Sequence, residues 1–330
     1  MTQDVPAAVV EVFRRPSRFL LGLHVSPDGD SIGSSLGLAR ALQEQGNQAV
    51  VASEEPVPNV YRFLPGADDV LRPADIAGQA FDVALLIDCG GLNRTGALEP
   101  LLHQVPVVVN IDHHLTNTGF GDVSWIDPDA ASAGEMVYRL IKKMQWPLSP
   151  QVATCLYTAI STDTGSFRYQ NTSFATLQTA AELVAAGASP FEVSDAVYEH
   201  KSLAAQRLLG YTLANMVVAA GGRLSYACLP WNVYEKFAAS DEDGEGIVSE
   251  LRKTDGVEVA VLVHDTSSGS VKVSFRSRAD VDVSRIASRF GGGGHARAAA
   301  CVFTGKSLDE VRDLVVAAVE EELLRQYGAE

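Results

Sequence analysis

At 330 residues and 46 % hydrophobic, the chain is long enough for two domains with substantial cores. Its formal net charge of −15 argues against a protein that tracks along long nucleic acids, which gains affinity by neutralising many phosphates with basic side chains. No apolar run reaches the length needed to span a bilayer, and the start MTQDVPAAVVEVF carries neither a basic nor a long apolar segment, so a cytoplasmic location is expected.

Residues 1–18 read as an opening helix with Val9, Val10 and Phe13 as its apolar stripe. A strand from Phe19 to Val25 runs into Ser26-Pro27-Asp28-Gly29-Asp30, with His24 just before the exit. Gly29 permits a tight turn that can aim both flanking carboxylates into one space. Ser31 to Gln45 has helical spacing and stops at Gly46, and Gln48 to Ala52 is a short strand. Ser53 to Asp75 is rich in proline and acids and reads as a loop, with a short helix at Asn59 to Phe63. Strands ending at Ile87 and Ile111 run into Asp88 and into Asp112-His113-His114. Ala131 to Met144 and Pro150 to Ser161 are helical, the first carrying Glu135 in its opening turn and the second delivering Asp163. Thr176 to Ala186 is a further helix, and helical linker segments occupy Phe191 to Asn215. Beyond Gly221-Gly222 come a strand at Arg223 to Leu229, helices at Trp231 to Phe237 and Glu242 to Arg252, and strands at Val257 to Asp265 and Val271 to Arg278. A helix at Val283 to Phe290, the run Gly291-Gly292-Gly293-Gly294-His295, a strand at Ala300 to Phe303 and a helix from Leu308 to Gln326 complete the chain.

Alternating strands and helices imply parallel order with crossover helices, hence an α/β fold: an N-terminal parallel-sheet domain with helices on both faces and a smaller C-terminal α/β domain. The expected division is 1–190, a helical linker 191–220, and 221–330. In an open parallel sheet, ligands bind beyond the carboxyl ends of the strands. A lone aspartate there is most often a turn former or a helix cap. The set is different: His24, Asp28, Asp30, Asp88, His113 and Asp163 supply oxygen and nitrogen ligands for two divalent cations, and carboxylates this dense repel one another without metal. Hard carboxylates with imidazole suit manganese, and also magnesium, cobalt or zinc. Cys89, Cys155, Cys228 and Cys301 lack paired metal-binding spacing and read as reduced, packed thiols. The glycine run is a hinge or a tight turn by itself, but its backbone N–H groups can also form an anion-binding nest. Arg276 and Arg278 lie two apart on one strand, hence on one face, as phosphate donors or a solvated face.

The segments HVSPDGDSIGSS, LLIDCGGLNRTG, NIDHHLTN and STDTGSFRYQNTS, in that order, resemble the four motifs of the DHH phosphoesterase superfamily. VSFRSRADVDVSRIASRFGGGGHARAAAC resembles the DHH-associated domain of one branch of it, closest to the stand-alone bacterial oligoribonuclease and pAp phosphatase type. The resemblance implies that His24, Asp28 and Asp88 hold one metal and that Asp30, Asp88, His113 and Asp163 hold the other, with Asp88 bridging. It implies a role for His114 beside the scissile phosphate, with Asp112 orienting a histidine. It places Arg94, Arg168, Arg276, Arg278, Gly292, Gly293, Gly294 and His295 in substrate binding. The implied partners are short RNA or DNA oligonucleotides, dinucleotides and pAp, with no membrane, and a homodimer is one assembly left open. Alternatives within the superfamily are a RecJ-like exonuclease and a cyclic di-AMP phosphodiesterase; a catalytically silent nucleotide sensor is the alternative from another class.

Overall fold

The computed structural model describes residues 4–278 and 280–328, and the side chain of His295 lies outside the description. The chain divides into two compact units between His200 and Lys201.

The first unit holds five strands, β1 (Arg18–Gly22), β2 (Gln48–Ala52), β3 (Val83–Ile87), β4 (Val107–Asp112) and β5 (Val123–Ile126), all parallel in the order β2-β1-β3-β4-β5. Its helices are α1 (Ala7–Val12), α2 (Gly29–Glu44), α3 (Glu99–Leu102), α4 (Ala133–Lys143), α5 (Pro150–Asp163), α6 (Phe174–Ala185) and α7 (Pro190–Ser194). Phe19, Leu21, Leu85, Ile87, Val109 and Ile111 bury one face of the sheet against α1, α2, α4 and α5. Leu20, Ala84 and Leu86 bury the other against Ile76, Leu98 and Leu102 of short 3-10 turns and α3. Every residue of β3 is buried, as a strand covered on both faces must be, and so its sequence is apolar without alternation.

Small residues let the long helices approach one another. A Cβ on Gly33 of α2 would stand 2.5 Å from the Cys155 carbonyl oxygen, and one on Gly134 of α4 would stand 2.5 Å from Ala159 Cβ. Gly29 serves the same packing against Thr162: it is the first residue of α2, and its role is close approach rather than the tight turn expected of it.

The second unit contains α8 (Leu203–Ala214), α9 (Trp231–Phe237), α10 (Ile247–Leu251), α11 (Val283–Ser288) and α12 (Leu308–Tyr327). Its strands are β6 (Val217–Ala219), β7 (Leu224–Leu229), β8 (Val259–Asp265), β9 (Val271–Ser277), β10 (Gly293–His295) and β11 (Ala298–Phe303), in the order β10-β11-β9-β8-β7-β6. Only β7 and β8 run parallel; the other neighbours are antiparallel. Val259, Val261, Val263, Val273 and Phe275 pack with Val311, Val315 and Val319 of α12. The opposite face, through Ala260 and Leu262, packs with Leu208, Val233, Tyr234 and Leu251 of α8, α9 and α10.

Several elements differ from the sequence reading. The opening helix is six residues long, and β1 ends at Gly22, so His24 stands in the connection beyond the strand. Strands β5 and β6 were not anticipated. The helix expected over Glu242 to Arg252 is broken at Gly244 and Gly246, leaving a 3-10 turn at Asp241–Gly244 and α10. Among the described residues no helix is long and apolar enough to cross a membrane.

Candidate metal centre

The carboxyl ends of β1, β3 and β4, the N-terminus of α2 and the C-terminus of α5 bring six side chains to one place. Asp28 is the N-cap of α2, its Oδ1 accepting from the N–H of Asp30 at 3.1 Å and of Ser31 at 3.0 Å. Asp30 is buried, and the first two N–H groups of α4 close on it: Ala133 donates to Oδ2 at 2.6 Å and Gly134 to Oδ1 at 2.9 Å. Asp88 follows β3 directly with φ of 57°, a left-handed conformation in which a short polar side chain is tolerated. Its N–H donates to the Ile111 carbonyl at 2.9 Å, tying the two strand exits together.

His24 Nε2 lies 3.8 Å from Asp88 Oδ2 and 3.9 Å from Asp28 Oδ1. His113 Nε2 lies 3.4 Å from Asp88 Oδ1, 3.6 Å from Asp163 Oδ2 and 3.7 Å from Asp30 Oδ2. Each ring turns its Nδ1 to a backbone carbonyl, His24 to Val25 at 2.8 Å and His113 to Ala130 at 3.3 Å. A carbonyl only accepts, so each ring carries a hydrogen on Nδ1, and a cation replacing the second proton would meet the Nε2 lone pair. Ligand atoms of His24, Asp28 and Asp88 lie within 4.8 Å of one another, and so do those of Asp30, His113 and Asp163.

The residues fit divalent cations. Asp88 Oδ1 is buried and has no hydrogen-bond partner, an expensive arrangement unless something else neutralises it. Burial, with Asp88 and Asp163 close by, pushes the Asp30 carboxyl well above its ordinary range; burial, with Asp88 and Asp28 close by, pushes Asp163 up to about 7. Burial lowers His24, but Asp88 and Asp28 outweigh it and hold the ring up at about 9. The pocket thus stays acidic enough to keep imidazoles charged, a deficit that cations relieve.

His114 stands beside this set. Its Nδ1 is 2.7 Å from Asp112 Oδ1 and 3.5 Å from Asp88 Oδ1. Asp112 is buried and receives the N–H of His113 at 2.8 Å on the same oxygen, while Asn117 donates to its Oδ2 at 2.5 Å. Asn117 also donates to Asn110 Oδ1 at 2.8 Å, and Asn110 donates to the Leu86 and Cys89 carbonyls at 3.1 and 3.0 Å. Both asparagines escaped the sequence reading; the polar Asn110 inside an apolar strand was the available signal.

Arg94 Nη2 comes within 3.4 Å of His24 Nδ1, and its carbonyl accepts from Val25 N–H at 2.7 Å, so the loop after β3 lies against the centre. Arg168 turns back to donate to the Gly165 carbonyl at 2.6 Å. Glu135 is buried in the first turn of α4, accepting from Thr176 Oγ1 at 2.9 Å, and stands outside the metal-ligating groups. Cys89 is buried too, and burial pushes its thiol up to about 11.

In the second unit, the end of the glycine run, Gly293 and Gly294, forms the edge strand β10 with His295. A Cβ on Gly292 or Gly294 would strike the carbonyl of Ala300 or Ala298, so glycine is required for β10 to lie against β11. Arg276 lies opposite Ala298, which lies opposite His295, placing the three backbone positions in one cross-strand row. Arg278 sits one residue past the end of β9, exposed.

Residues 18–160 match the family model for the DHH family, N-terminal domain, and residues 223–321 match that for the DHHA1 domain. A bifunctional oligoribonuclease and PAP phosphatase NrnA of Thermus thermophilus is 36 % identical, with 92 % of this chain and 90 % of that protein covered. The chain belongs to the DHH family. Another DHH relative, the bifunctional oligoribonuclease and PAP phosphatase NrnA of Bacillus subtilis, is 29 % identical over 88 % of this chain and 91 % of that protein. The crystal structure of an exopolyphosphatase-related protein from Bacteroides fragilis superposes with a TM-score of 0.90 at 29 % identity, covering 98 % of both chains. DHH phosphoesterases are metal-dependent hydrolases, and the acidic and imidazole groups of this DHH chain are of the type that binds metal.

Proposed function

We propose that the chain hydrolyses phosphoesters of short nucleic-acid substrates with two divalent cations, cutting nanoRNA and dinucleotides such as pApA to mononucleotides and pAp to AMP and phosphate. The observation that carries this reading is Asp88: one oxygen faces His24 of the first group, and the other, lacking a hydrogen-bond partner, faces His113 of the second. In this reading His24, Asp28 and Asp88 hold one cation, and Asp30, Asp88, His113 and Asp163 hold the other. Manganese suits this oxygen and nitrogen set, with magnesium, cobalt and zinc as competitors. Bound there, two cations supply Lewis acidity to the phosphoryl oxygens and activate a water for in-line attack.

The chain's own residues do the rest. Asp112 fixes His114 through Nδ1, leaving Nε2 of the protonated ring able to give a hydrogen to a phosphate oxygen or to the departing ester oxygen, which leaves as a hydroxyl. Arg94, whose Nη2 comes within 3.4 Å of His24 Nδ1, is the proposed donor to a phosphate oxygen, with Arg168 as its companion. For the second unit we propose substrate binding through Arg276, Arg278, Gly292, Gly293, Gly294 and His295. The substrate class rests on the two relatives named as oligoribonuclease and PAP phosphatase.

The test offers wild type and Asp88→Asn, with manganese, to pApA, pAp, cyclic di-AMP and a graded set of oligonucleotides. Wild type is expected to favour pApA, pAp and short RNA, and the variant to lose more than about 10²-fold in kcat, since one ligand serves both cations. Undiminished turnover by Asp88→Asn would remove the two-metal reading, and a preference for cyclic di-AMP or long DNA would replace the substrate assignment.

A further inference from the structure

Five consecutive residues, Ala130 to Gly134, hold two ligands of the second group, His113 and Asp30, through backbone atoms alone. The Ala130 carbonyl accepts the Nδ1 hydrogen of His113 at 3.3 Å, and the N–H groups of Ala133 and Gly134 donate to the two carboxylate oxygens of Asp30 at 2.6 and 2.9 Å. Asp163 belongs to a different element, the last residue of α5. One side chain joins the two: Asn171 Nδ2 donates to the Ala131 carbonyl at 3.0 Å and to the Asp163 carbonyl at 3.1 Å. From the other side Glu135 Oε2 accepts from Ala131 N–H at 3.4 Å, and Thr176 Oγ1 anchors that carboxylate.

We propose that Asn171 is a positioning residue that sets the separation between the segment from Ala130 to Gly134, which holds Asp30 and His113, and the helix end carrying Asp163, and thereby the affinity of the second cation. This rests on the two-metal reading above. Asn171 is exposed, and its replacement is expected to leave the fold intact. Groups that orient metal ligands are worth about 10- to 100-fold in metal affinity. Two amide hydrogen bonds spanning two backbone carbonyls place Asn171 at the lower end, about tenfold.

The experiment is a manganese titration of metal-free protein, with free ion read by electron paramagnetic resonance, for wild type, Asn171→Ala and Asn171→Asp. Asp has the size of Asn but presents no N–H, so it separates hydrogen bonding from packing. Wild type is expected to bind two ions, and both variants to weaken one binding step about tenfold while the other step and the thermal midpoint of the metal-free protein stay near wild type. Loss at Asn171→Ala alone, with Asn171→Asp like wild type, would reduce the residue to space-filling and overturn the proposal. Two unaltered steps in both variants would overturn it while leaving the two-metal reading in place. Fewer than two ions on wild type would overturn both.

Discussion

Two buried histidines of this chain live under opposite fields. Carboxylates surround His24, whereas His264 on β8 faces Lys272 across the strand pair, with Asp241 and Asp265 nearby and the Tyr234 hydroxyl 3.1 Å from its Nδ1. Burial first, then Lys272, lowers His264 to about 4. The Tyr234 hydroxyl and His264 Nδ1 share a hydrogen bond that the neutral ring can keep. An unfolded histidine titrates near 6.5, so between pH about 6.5 and 4 the unfolded chain binds the extra proton. Stability from this residue is full above that window and is lost as pH falls through it, by about 3 kcal/mol at most. His264→Gln, which cannot titrate, should be less stable than wild type at pH 7 by denaturant unfolding, and the gap between the two should narrow towards pH 5. A gap independent of pH would show that His264 is not buried in its neutral form. The same scale explains what the sequence hid at the centre. The side chains proposed as ligands are letters at strand exits and helix ends and could be read; the Ala133 and Gly134 N–H groups that clamp Asp30 are backbone, which no residue name announces.

At the scale of elements, the centre depends on how closely α2 and α5 approach, because α2 begins with Asp28 and Asp30 around Gly29 and α5 ends with Asp163. Gly33→Ala would place its Cβ 2.5 Å from the Cys155 carbonyl oxygen and 3.0 Å from Ala159 Cβ. Alanine gains about 1 kcal/mol of helix propensity, but a backbone carbonyl cannot give way cheaply, and overpacking costs about 1 to 3 kcal/mol. Gly210 in α8 has open space around its Cβ position, so there propensity alone decides. Gly33→Ala should lower the thermal midpoint and weaken manganese binding, and Gly210→Ala should raise the midpoint. A rise in both would contradict the close helix approach. Elements with a clear apolar run or helical spacing and well-marked ends were legible: β2, β3 and α9 fall where the sequence puts them. Others were not. Val-Ser-Trp-Ile of β5 is four residues between turn formers, too brief for a period to emerge, and β10 is built of glycines, which carry no strand signal.

Over the whole molecule, charge is unevenly shared. Residues 1–200 carry 11 Lys and Arg against 23 Asp and Glu, and residues 201–330 carry 15 against 18, giving net charges of −12 and −3. Phosphates beyond the metal centre therefore meet an acidic exterior, and fields there are screened within about 8 to 10 Å at ordinary salt. Catalytic efficiency should peak at about two to five nucleotides, fall for longer strands, and fall less steeply as salt rises, because salt relieves repulsion. Initial rates across a length series at two ionic strengths decide this; undiminished efficiency on strands of tens of nucleotides would favour the exonuclease alternative. The central claim, two cations sharing Asp88, is tested most directly by anomalous scattering at the manganese edge from crystals grown with manganese. The account predicts two peaks roughly 3.5 to 4 Å apart with the Asp88 carboxylate between them, one beside His24 and Asp28 and the other beside Asp30, His113 and Asp163. A single peak, or two that do not both contact Asp88, would contradict it.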